Sequence, residues 1–305
     1  MSENNTLLTE FTLLAFPGFA DLEILLFIVI VLMYLLAVLG NLIIAALICL
    51  EPQLHTPMYF FLCNLAFQDI VHVSSIQPKL MAITITGDHN ISFPGCISQI
   101  FLFVFCLDAE FFLLPTMAYD RYVAICVPLR YSVIMNKSIC ALLATLIWLL
   151  AGLNALMCSS LIYNLSFCKS NELNHFYCEY KTILSLSCSD VTINLIIIFV
   201  EGFVIGLFPF ILILTSYIFI ISAVLKIRST EGRLKTFSSC SSHLIVVMLL
   251  YGTCLSFYIK SQSQHSQDKV LSMVYVSVVP VLNPLVYSLR NKDVLKALKK
   301  IAGIT

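Results

Sequence analysis

Met117–Tyr131 reads MAYDRYVAICVPLRY and sets an acid beside an arginine, Asp120 and Arg121, at the foot of a long apolar run. A charge at the centre of a membrane helix costs about 2.5 to 3.5 kcal/mol on insertion scales, whereas one at its end reaches water or a partner protein. The acid can hold the arginine in one state and release it in another, so the pair can act as a switch. The same two residues could instead be anchors that snorkel to the interface. The rest of the chain bears on that choice.

The run above Asp120 is one of seven. Of the 305 residues, 60% are hydrophobic and 11% charged, against about 25% charged in a soluble domain. Apolar segments at 23–50, 57–84, 96–127, 139–163, 191–226, 236–259 and 270–290 each exceed the roughly 20 residues that cross about 30 Å of hydrocarbon. If the segments alternate sides, twelve of the 17 Lys and Arg fall on the side of Arg121 and five on the other. The positive-inside rule then puts Arg121 in the cytoplasm and the N-terminus outside. The expected fold is an all-α membrane protein, a seven-transmembrane-helix bundle in a single domain over 1–305. Residues 1–22 form an extracellular N-terminus, 164–190 a long outer loop, and 291–305 a cytoplasmic tail. The polar N-terminus has no Lys or Arg, so the first apolar run reads as a spanning helix rather than a leader. Asn4 opens an Asn-Asn-Thr sequon and is a glycosylation candidate. Residues 292–301 put Val294, Leu295, Leu298 and Ile301 opposite Lys292, Lys296, Lys299 and Lys300, a short amphipathic C-terminal helix for the inner leaflet and its lipid. Formal net charge is zero, and nothing points to nucleic acid.

The polar residues inside the runs carry the functional signal. Gly40-Asn41 interrupts the first, where a packing glycine and an amide bonded to backbone would suffice. The second opens LHTPMYFFLCNLAFQD, with Pro57 suited to a first turn and Asp69 near the middle of the bilayer. In the third, Glu110 and Arg121 are eleven residues apart, which leaves them within about 20° on a helix, so they share an interior face. Asp108 points away from Glu110, and the two are no catalytic dyad. Pro115 removes a backbone donor and is expected to kink this helix. Glu201 and Tyr217 lie in the fifth run, His243 in the KTFSSCSSHL that opens the sixth, and Tyr251-Gly252 higher in it. The seventh ends in PVLNPLVYSLRNKDV, which holds Asn283, Pro284 and Tyr287. Of twelve cysteines only Cys96, Cys168, Cys178 and Cys188 border polar loops, and four cysteines permit three pairings.

These stretches, in this order, resemble the olfactory receptors, a branch of the rhodopsin-like G-protein-coupled receptors, with Cys63 and Gln68 as small departures. The resemblance spans the chain. It implies a plasma-membrane odorant receptor that takes a small molecule from outside, between helices three, five and six. A heterotrimeric G protein of the olfactory stimulatory type would then raise cAMP. By resemblance Cys96 bridges to Cys178 and Cys168 to Cys188, folding the long loop over the pocket. The coupling residues it implies are Asp120, Arg121, Tyr122, Tyr217, His243, Asn283, Pro284 and Tyr287. It favours a sodium ion at Asp69 and Glu110, near Asn41 and Asn283, with a shared proton as the alternative. No other cofactor is expected. The pocket candidates are Phe103, Val104, Leu107, Asp108, Glu201, Tyr251, Cys254, Leu255 and Tyr258.

Two of those candidates are acids. Asp108 lies about 18 Å below Cys96 and Glu201 about 15 Å into helix five, at similar depth. They suit an amine or other cationic ligand, with the aromatic candidates adding cation–π contact. Alternatively, Asp108 bonds helix four and Glu201 snorkels or faces protein on the lipid side. An enzyme is not expected. An intramembrane aspartyl protease would need a GxGD, a metalloenzyme an HExxH and a nucleotide enzyme a Gly-rich loop, and none is present. A transporter, which would show repeat symmetry between halves, and a non-olfactory chemoreceptor are the rival functions.

Overall fold

A computed structural model of the chain describes residues 9–16, 23–168, 170–259, 265–290 and 292–301. Asn4 lies outside the described residues, as does most of the 1–22 segment. The described chain is almost entirely helical. Helix α1 (Glu23–Leu50) opens with an acid in its first turn, where the helix dipole favours one. Helix α2 (Pro57–Thr86) has proline in its first turn and stops at Gly87, whose φ of 67° provides the left-handed C-cap that glycine adopts without strain. Helix α3 (Phe93–Cys126) starts where Ser92 accepts from the Gly95 N–H. Helix α4 (Lys137–Tyr163) starts where Asn136 accepts from Ile139 N–H. Both are side-chain N-caps.

Helix α5 runs over Thr192–Leu225 with a π-helical stretch at Gly202–Leu207. Helix α6 spans Thr230–Ile259. Helix α7 covers 265–290, with a π-helical stretch at Val274–Val278 between His265–Met273 and Val279–Arg290. Helix α8 is Lys292–Ile301. Among the described residues, five helices are long and apolar enough to cross a membrane: α1, α3, α4, α5 and the Lys269–Tyr287 part of α7. Helix α6 has a shorter apolar stretch, Cys240–Ser256. Helix α2 is as long but carries Asp69, His72, Gln77 and Lys79.

Large apolar side chains such as Leu32, Leu36, Phe199, Phe203 and Leu214 face outward, which suits hydrocarbon rather than water. The interior holds both the apolar core and a few acids, among them Asp69, Asp108, Glu110 and Asp120. Helix α3 packs on α2, α4 and α5, and α1 packs on α2 and α7. Gly40 lets α1 approach α7, since a Cβ there would stand 2.9 Å from Pro284 Cγ. Helix α3 runs unbroken through Pro115, where a kink is expected, to Cys126.

The 164–190 loop is more ordered than its polar sequence suggests. It carries a two-residue strand, β3 (Glu172–Leu173), and a helix at Tyr180–Leu186. With β1 (Glu10–Leu13) and β2 (Asn90–Ser92) it forms a small sheet in the order β2-β1-β3. Strand β1 is antiparallel to β2, pairing Phe11 with Ile91, and parallel to β3, pairing Leu13 with Leu173. Lys269 ties the same segment to α7 by donating to the Leu14 carbonyl at 2.6 Å. The disulfides Cys96–Cys178 and Cys168–Cys188 both form, with Cα–Cα distances of 5.5 and 6.0 Å. At the other end α8 buries Val294 and Ala297 while Lys296, Lys299 and Lys300 stay exposed, and Lys300 pairs with Glu51 at 2.8 Å.

Candidate functional site

A cavity of about 1400 Å³ opens between α3, α5, α6 and the disulfide-bonded loop. Phe103, Leu107, Asp108, Glu201, Tyr251, Cys254 and Leu255 line it. Val104, expected with them, does not: it packs partly buried against the core. It sits one residue from Phe103, and one step along a helix turns a side chain by about 100°. The Tyr258 side chain lies outside the described residues. The loop forms part of the wall. Its disulfide to Cys96 sets the Tyr177 ring 5.3 Å from that of Phe103, and Gln99 holds the join by accepting from the Cys178 N–H at 2.8 Å. His175 and Tyr177 line the cavity as well. Phe210 of α5 and Phe111 of α3 both pack on Tyr251, at 4.6 and 5.3 Å between ring centroids.

The two acids of the cavity are joined by a residue the sequence reading did not single out. Asn154 of α4 donates from one amide nitrogen to Asp108 Oδ2 and to Glu201 Oε1, 2.8 Å each. The Cys158 thiol adds a third bond, 2.9 Å to the same Glu201 oxygen. Asp108 does bond helix four, and Glu201 is tethered there rather than snorkelling. Both still line the cavity. A lone Asn in an apolar membrane run was the available signal, because such a residue needs a partner within the bundle.

Below the cavity lies a second polar group, linked to the cavity wall by Tyr275 of α7. Tyr275 lines the cavity and donates to Glu110 Oε2 at 3.1 Å. Asn283 donates to Asp69 Oδ2 at 2.9 Å. The remaining oxygens, Asp69 Oδ1, Glu110 Oε1 and Asn283 Oδ1, are buried with no hydrogen-bond partner among the described residues. Three unpartnered oxygens, two of them carboxylate, fit a small hard cation. Asn41 does not join them. Its amide donates to the Ala37 and Pro280 carbonyls, both at 3.0 Å. Among the described residues no group of three or more His, Cys, Asp or Glu forms a metal cluster.

At the far end Arg121 binds Asp120 through both Nε, at 2.9 Å, and Nη2. Tyr131 donates to the other Asp120 oxygen at 2.8 Å. Asp120 is fully buried. Tyr122 packs on Tyr119 and on Phe219 of α5. His243 of α6 joins three helices: Nδ1 meets the Tyr217 hydroxyl at 2.8 Å and Nε2 meets the Leu114 carbonyl at 3.0 Å. Ser242 donates to the Val286 carbonyl of α7 at 3.1 Å. Pro284 packs near Gly40, and Tyr287 is buried with its hydroxyl unpartnered among the described residues.

Comparison with known proteins accords with this arrangement. A family model described as olfactory receptor matches residues 30–303. Olfactory receptor 5AR1 of Mus musculus is 47% identical over 304 residues, covering 99% of this chain and 98% of that one. Olfactory receptor 5B12 of Homo sapiens is also 47% identical, over 99% of this chain and 96% of its own. Olfactory receptor 1C1 of Homo sapiens is 45% identical, over 98% and 96%. Matches of this identity and coverage leave one conclusion: the chain belongs to the olfactory receptor family.

Proposed function

We propose that this olfactory receptor crosses the plasma membrane seven times with its N-terminus outside, and that an odorant in the cavity makes it activate a stimulatory G protein and raise cAMP. The charge asymmetry of the loops supports the orientation. On this reading α2 and α6 also span. Their interior polar groups face the bundle, which is where such groups are tolerated.

The observation that carries the mechanism is the place of His243. It lies one helical turn from Val247, and Val247 and Tyr251 line the cavity. A ligand that presses on these two side chains acts on α6 directly. The shift reaches His243, whose bonds to Leu114 and Tyr217 hold α6 against α3 and α5. Loosening them opens the end of the bundle where Arg121 sits, and Arg121 can exchange Asp120 for the G protein. The ligand shifts the equilibrium only as far as it prefers the open form. Asp69, Glu110 and Asn283 would hold sodium in the closed form, where its charge offsets the two carboxylates.

The test is a panel of volatile odorants applied to cells expressing the receptor with the stimulatory G protein, read as cAMP. The proposal expects a dose-dependent rise for at least one chemical class, absent from vector-only cells. A ligand response that appears only through another G-protein class, or as transport of the compound, contradicts it.

A further inference from the structure

The ligand end of the cavity has a chemistry of its own. Asp108 is 4% exposed, and its Oδ2 and Glu201 Oε1 both accept from the one Asn154 nitrogen. That nitrogen has two hydrogens, so both donors of the amide are used in holding the carboxyls side by side. Cys158 supplies one further donor, to Glu201. No Lys, Arg or His is paired with either acid among the described residues. Two carboxyl groups side by side in a protein cavity are relieved by a proton or by positive charge.

Two more polar groups of the cavity are also unsatisfied. The Tyr251 hydroxyl is buried with no partner among the described residues, and so is Nδ1 of His175, a residue 5% exposed. Both residues line the same cavity. The cavity these residues line is far larger than a water and has room for a small organic ligand. Around Tyr251 the rings of Phe111 and Phe210 form an apolar, electron-rich wall suited to the carbon body beside a cation.

We infer that the cavity takes a primary or secondary amine, its ammonium shared between Asp108 and Glu201 and its apolar body against Tyr251, Phe111 and Phe210. This rests on the receptor reading above and names its ligand class. An ammonium with at least two N–H groups can donate to both carboxylates at once, and Asn154 acts as the positioning residue that sets their spacing. A neutral alcohol of the same shape keeps the apolar contact and loses the charge.

The experiment pairs 2-phenylethylamine and cyclohexylamine with 2-phenylethanol and cyclohexanol. Each is titrated on wild type, Asp108→Asn and Glu201→Gln, with surface labelling and cAMP as readouts. Both substitutions keep a carbonyl for the Asn154 amide and remove only the charge. The amines should be more potent than their alcohols on wild type and lose about tenfold or more on each variant, while alcohol responses hold. Amines that neither raise cAMP nor stabilise wild type, or that are as potent on both variants as on wild type, overturn the inference. A second measurement needs no variant: the amines should raise the Tm of purified wild-type receptor more than the alcohols do, and equal shifts overturn the inference. Amine-induced stabilisation without cAMP leaves the ligand class standing and counts against the receptor mechanism. Alcohol-driven cAMP without amine binding does the reverse.

Discussion

Tyr131 donates its hydroxyl to Asp120 Oδ1 at 2.8 Å, on the carboxylate oxygen that Arg121 leaves free. The buried acid is therefore gripped from two sides, by the arginine beside it and by a tyrosine eleven residues on. Hydrogen bonds to a charged group are worth about 1.5–3 kcal/mol. Asp120→Asn removes the charge that holds Arg121, and ligand-free cAMP should rise about tenfold at matched surface expression. Tyr131→Phe should act in the same direction and less. Basal signalling unchanged or lowered in Asp120→Asn contradicts a restraining role for the pair.

The Cys96–Cys178 bridge fastens the loop wall of the cavity to the start of α3. Loss of a disulfide costs about 2–5 kcal/mol in small secreted domains, and here the cost falls on the element that carries His175 and Tyr177. Cys96→Ser and Cys178→Ser should both abolish surface expression, measured by labelling intact cells. Normal surface levels for both variants would count against the bridge as a folding requirement.

Burial, and then the Lys269 ammonium, hold His175 down to about 3, whereas an unfolded histidine titrates near 6.5. Between about pH 6.5 and pH 3 the unfolded chain binds a proton that the folded chain does not. Stability should therefore fall as pH is lowered through that window, by up to about 1.4 kcal/mol per pH unit. Above pH 6.5 the group contributes no slope. Other carboxylates titrate in the same range, so the measurement is the difference in unfolding between wild type and His175→Phe. Parallel pH profiles for the two would show that His175 is protonated when folded.

Asp69, Glu110 and Asn283 each present a buried oxygen with no partner among the described residues. If sodium fills this place and favours the closed form, replacing it with N-methyl-D-glucamine should raise agonist potency. The expected gain is about three- to tenfold at sodium concentrations several times its Kd. Asp69→Asn should erase that difference. Potency insensitive to the replacement would favour a proton shared between the two acids.

The helices were legible because each carries its own signal. Helix α1 occupies the 23–50 run residue for residue. Helix α3 begins three residues before its apolar run, because Ser92 caps it and Pro94 suits its first turn. Helix α6 begins six residues early, in a polar turn with Glu231, where hydropathy has nothing to mark. What the sequence hid were relations between distant segments. Strand β1 is four residues long and its partners lie in separate loops, so no local pattern could announce it. The Lys300–Glu51 pair joins α8 to the turn that follows α1, 249 residues away in sequence. At the cavity, depth along the helices placed Asp108 and Glu201 level with one another. Only packing brings Asn154 between them, and only the angular position on α3 separates Phe103, on the cavity, from Val104, off it.

The central claim is that a ligand in the cavity is reported through Arg121, and one comparison addresses it directly. Wild type and Arg121→Ala are expressed to equal surface density, and each is tested for ligand binding and for ligand-evoked cAMP. The account predicts that Arg121→Ala keeps binding and loses the cAMP response. An Arg121→Ala receptor at the cell surface that raises cAMP as wild type does would contradict it.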